Sequence, residues 1–64
     1  MRDDFDRATE RVQTCLDSIL EEGVLPVIAA DAAITQALAV WAADTGRHED
    51  ARAFLLAWTV LRDA

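Results

Sequence analysis

Apolar residues Phe5, Ala8, Val12, Cys15, Leu16, Ile19 and Leu20 recur three and four positions apart. At about 100° per residue this spacing gathers them into one helical stripe. It predicts a first amphipathic helix over about residues 3–22, polar or charged at every other position. Asp3, Asp4 and Asp6 stand in its first turn, where carboxylates suit the positive end of the helix dipole. Asp3 is spaced to pair with Arg7. Glu21 and Glu22 sit at the end that the dipole disfavours. Gly23 supplies a left-handed stop, and Pro26 fits the first turn of a following helix.

The second helix is expected over about residues 26–44, and its pattern is different. Val27, Ile34, Leu38 and Trp41 fall on one side, with Ile28 and Val40 off that stripe and Asp31 and Thr35 along its border. The opposite side is nearly all alanine, Ala29, Ala33 and Ala37 in one row and Ala32, Ala39 and Ala43 in another. Alanine has the best helix propensity and could simply face water. Small acidic proteins, however, cover exposed helix with charge rather than methyl groups. The smooth side is therefore assigned to close approach by another helix, from this chain or a second copy.

A third helix is expected from Arg47 or His48 to Asp63, after a stop at Thr45 and Gly46. Ala51, Phe54, Leu55, Trp58 and Leu61 form one apolar stripe, while Leu56 and Val60, with Ala53 beside them, form another. A lone three-helix domain buries one stripe per helix, so the second stripe asks for a second protein surface. The expected fold is one all-α domain, a three-helix antiparallel bundle. A helical hairpin joins an amphipathic N-terminal helix that serves as outer cover, and dimerisation completes the whole. Ala29, Ala33, Ala37, Val40, Ala53, Leu56 and Val60 are the expected interface.

Composition strengthens this picture. A chain of 64 residues that is 53% hydrophobic carries more apolar surface than one core of that size can hide. Cys15 is the single cysteine and His48 the single histidine, so neither an internal disulfide nor a soft-ligand zinc cluster is available. A partner subunit is the remaining means of stabilising so small a domain. The net charge of -6, with all six basic residues arginine and scattered among acids, argues against nucleic acid. Membrane insertion of residues 24–43 is disfavoured by Asp31, Gln36 and Pro26 and by the weak hydrophobicity of alanine. The charged opening MRDDFDRATER, which includes Arg2, does not read as a secretory signal, and a cytoplasmic location is expected.

Three motifs carry candidate chemistry. Residues 38–58 resemble part of a tetratricopeptide repeat in Ala39, the turn Gly46 and Ala51, but Ala42 and Trp58 depart from its pattern and no second repeat follows. An ordinary helical hairpin accounts for the same residues. Asp17-Ser18-Ile19 is similar to the attachment tripeptide of acyl carrier proteins, which would make Ser18 a carrier site. That family places its serine at the start of the second helix, whereas Ser18 lies deep in the first. The run Arg47-His48-Glu49-Asp50, with Asp44 nearby, groups a histidine with carboxylates, yet such a site needs ligands from several elements. Cys15 lies on the apolar stripe and is expected to be a small buried hydrophobe rather than a thiolate nucleophile. Asp31, beside an apolar stripe, either reaches solvent or pairs with an arginine, Arg52 being the candidate.

No acid, base and nucleophile are brought together by these patterns. The expected function is that of a small acidic helical interaction or accessory protein, a homodimer or tetramer with room for one further protein partner. No catalytic residue, cofactor or metal is assigned. Two rival expectations are a binder or inhibitor that engages a partner's helix through a groove, and a subunit whose metal or ligand site forms between chains near His48.

Overall fold

The computed structural model describes residues 3–64; Met1 and Arg2 lie outside them. The described chain is all-helical: α1 spans Asp4–Glu21, α2 Pro26–Thr45 and α3 His48–Arg62. These bounds fall within a residue or so of those expected, because the signals that set them are local. The Asp3 side chain caps α1 by accepting from the Asp6 backbone N–H at 2.8 Å. With that carboxylate engaged, Arg7 pairs with Asp4 at 2.9 Å instead of with Asp3 as the spacing had suggested. Gly23 and Gly46 both adopt positive φ, 91° and 75°, which side chains with a Cβ rarely tolerate, and Pro26 opens α2.

The helices form an open bundle. The central helix α2 packs on both α1 and α3, while α1 and α3 do not pack on each other. The reason lies in how α2 distributes its surface. Asp31, Thr35, Leu38 and Ala42 look toward α3, and Ala29, Ala33, Gln36 and Ala37 look toward α1, on roughly the other side of the helix. The Cα atoms accordingly spread over 33 × 32 × 15 Å, with one short dimension. Three helices closed into a triangle would have two short dimensions of roughly 14 Å. The radius of gyration is 13.5 Å, against roughly 11 Å for a compact domain of this length.

The two halves of the molecule are held differently. Buried Ala42 and Ala51 belong to the α2–α3 contact, where the absence of bulk allows close approach, flanked by half-buried Leu38, Leu55 and Trp58. At the other end of α3, the Trp58 indole donates to Asp31 Oδ1 at 2.9 Å, and Arg62 Nη1 pairs with the same oxygen at 2.8 Å. Arg62, not Arg52, is thus the partner of Asp31, because the start of α2 meets the last turns of α3. At the connecting corner, the Arg47 guanidinium lies 5.1 Å from the Trp41 ring centre and bonds Asp50 at 2.7 Å.

By contrast, α1 has no buried residue. Leu16 and Ile19 are half-buried, and Phe5, Val12, Cys15 and Leu20 are exposed. Cys15 is therefore not the buried hydrophobe expected, because the stripe to which it belongs has only one wall of α2 beside it.

Candidate interaction surface

The candidate site is made of two apolar surfaces. The first is a groove of about 370 Å³ between α1 and α2. Val12, Cys15, Leu16 and Ile19 form one wall, and Ala32, Ala33, Gln36, Ala37 and Val40 form much of the other. Its α1 wall exists because the stripe recurs three and four residues apart, and its α2 wall is low because it is built of alanine. Gln36 is the one polar side chain in the lining.

The second surface is the outside of α3. Its inward positions are Ala51, Leu55, Trp58, Thr59 and Arg62, all buried or half-buried. Phe54 and Leu61, expected inward with Ala51 and Trp58, are instead 61% and 70% exposed. The helix is apolar around most of its circumference, so hydrophobicity alone does not choose its inner side. Small Ala51 and the bonds from Trp58 and Arg62 to Asp31 set the rotation. Phe54 and Leu61 consequently join Ala53, Leu56, Ala57 and Val60 in one continuous outward arc. Leu56 and Val60 are 67% and 70% exposed.

The residues expected at an interface divide between these two surfaces. Ala29 is covered by its own chain, at 4% exposure, and Ala33 is half-buried beside α1. Ala37 and Val40 are open in the groove, while Ala53, Leu56 and Val60 are open on α3. The sequence pattern marked the alanine row of α2 and the second stripe of α3 but not the groove, since its depth depends on where α1 comes to lie.

Polar chemistry is sparse. Asp31 has its carboxyl held below the usual range, first by the Trp58 indole hydrogen bond and then by Arg62, with partial desolvation opposing them. Arg62 is shifted upward, chiefly by its bond to Asp63 and further by Asp31. His48 borders a shallow depression with Thr35, Leu38 and Arg52. Among the described residues, no three His, Cys, Asp or Glu side chains gather where they could hold a metal. The α2 helix is long and apolar enough to cross a membrane by length and composition. Comparison with known proteins adds no relative: no family model, curated protein or solved structure matches this chain.

Proposed function

We propose that this chain is a small self-associating helical protein that works through its surface, as an interaction or accessory protein with no catalytic chemistry of its own. In this reading α2 and α3 form an antiparallel hairpin, supported by the contacts of Asp31 with Trp58 and Arg62, and a second copy completes the bundle. The observation that carries the proposal is the amount of exposed surface. The chain presents 5338 Å², whereas a compact chain of 7.0 kDa presents roughly 4,000 Å². Large apolar side chains contribute to it: Phe5, Phe54, Leu56, Val60 and Leu61 are all open.

A membrane reading of α2 is disfavoured because Asp31, ion-paired to Arg62 of α3, would lie within the span. The charged outer side of α1, with Asp4, Arg7, Glu10 and Arg11, is left as the solvent-facing surface of the assembly. Sedimentation of the purified chain tests the proposal. A dimer or tetramer at micromolar concentration is expected, and replacing Leu56 and Val60 together by Asp should dissociate it. A folded, cooperative monomer that leaves Leu56 and Val60 in water would overturn it.

A further inference from the structure

Resting on that self-association, we infer that the groove between α1 and α2 receives the outer face of α3 from a second copy. A twofold axis repeats the exchange, so each copy gives one helix and takes one. The two surfaces are complementary in shape. The groove has a low wall of Ala32, Ala33 and Ala37, and the α3 arc carries the bulk of Phe54, Leu56, Val60 and Leu61. Bulky ridges seat in grooves whose side chains are small.

Electrostatics point the same way. Each chain carries a net charge of -6, so a second copy is repelled by most of the molecule. No charged residue lines the groove, and none occurs between Ala53 and Leu61. Contact through these two surfaces brings together the parts of each copy that do not repel.

Shape selects between this arrangement and the simpler pairing of α3 with α3, and area permits it. A standard interface buries roughly 800 Å² per partner. The excess surface of this chain, roughly 1,300 Å² over a compact chain, exceeds that figure. An α3-to-α3 contact would set one convex helix against another and leave the groove open. The exchange covers groove and ridge on both copies at once, and twofold symmetry closes it at two chains.

Single substitutions and the native thiol test the inference. Ala37→Asp places a charge in the groove and Val60→Asp places one on the α3 arc, each at an exposed position of the single chain. Either should weaken the dimer on the order of a hundredfold by burying an unpaired charge. An equimolar mixture of Ala37→Asp with Val60→Arg should recover a dimer, because one site keeps both native surfaces and the other sets the new carboxylate against the new guanidinium. If Val60→Asp dissociates while Ala37→Asp remains dimeric, α3 pairs with α3; the groove assignment falls and self-association stands.

Cys15 lines the groove and reports on it without mutation. In the assembled wild type it should react with Ellman's reagent on the order of tenfold more slowly than in wild type diluted to monomer. This comparison needs no variant, and it is made at dilutions where circular dichroism shows the helices intact, so that the rate reports cover and not unfolding. Equal rates in dimer and monomer overturn the groove assignment alone. Wild type that remains monomeric at every concentration overturns the self-association on which it rests.

Discussion

Asp31 is where a single residue does most to set the structure. Its Oδ1 accepts from Trp58 at 2.9 Å and pairs with Arg62 at 2.8 Å, tying the beginning of α2 to the end of α3. Both partners favour the charged carboxylate, so its pKa lies below the ordinary 3.8. A lowered carboxylate pKa adds stability that is fully present above the ordinary value and is lost as pH falls through the folded one. Acidification below about pH 4 should therefore loosen the α2–α3 contact and change the Trp58 emission. Replacing Trp41 by Phe leaves Trp58 as the sole indole signal. In that background Asp31→Asn should lower the thermal midpoint at neutral pH and flatten the acid limb of the stability curve. An acid limb unchanged by Asp31→Asn would show that another carboxylate governs it. The sequence pattern marked Asp31 as a residue beside an apolar stripe. It pointed to Arg52 as a candidate partner where the structure has Arg62, because the choice depends on how α3 crosses α2.

At the scale of elements, the two helix contacts differ in how they are made. The α2–α3 contact is close because Ala42 and Ala51 are buried within it at 4% and 8% exposure. Ala51→Leu should destabilise the protein by about 1–3 kcal/mol through overpacking, read as a lower midpoint in thermal or urea denaturation. A variant as stable as wild type would mean that the contact has room to adjust. The helix bounds were legible because stripe spacing, Asp3, Gly23, Pro26 and Gly46 act within a turn or two of where they stand. The inner side of α3 was not, since Phe54 and Leu61 are as apolar as Leu55 and Trp58. The exposure of Cys15 was hidden for a related reason: an amphipathic stripe states that a helix seeks cover without stating how much its neighbours provide.

For the whole molecule, the self-association proposed from its flatness and excess surface predicts a concentration-dependent stability. Anything that binds the folded chain shifts folding by mass action, and under the proposed self-association a second copy is such a ligand. The melting temperature should rise as protein concentration is raised from low to high micromolar. Added salt should raise it further by screening repulsion between chains of net charge -6. A midpoint independent of both variables would argue that the open bundle stands alone. Composition and periodicity were enough to establish three helices, their bounds, and more apolar surface than a chain of 64 residues can bury. These are properties of nearby residues and of totals. Tertiary structure alone decided that α1 and α3 lie on different sides of α2, that Arg62 rather than Arg52 meets Asp31, and that a groove opens beside the alanine wall. Those outcomes depend on contacts between residues distant in sequence, where several rotations of an apolar helix satisfy the same pattern and small differences in packing choose one.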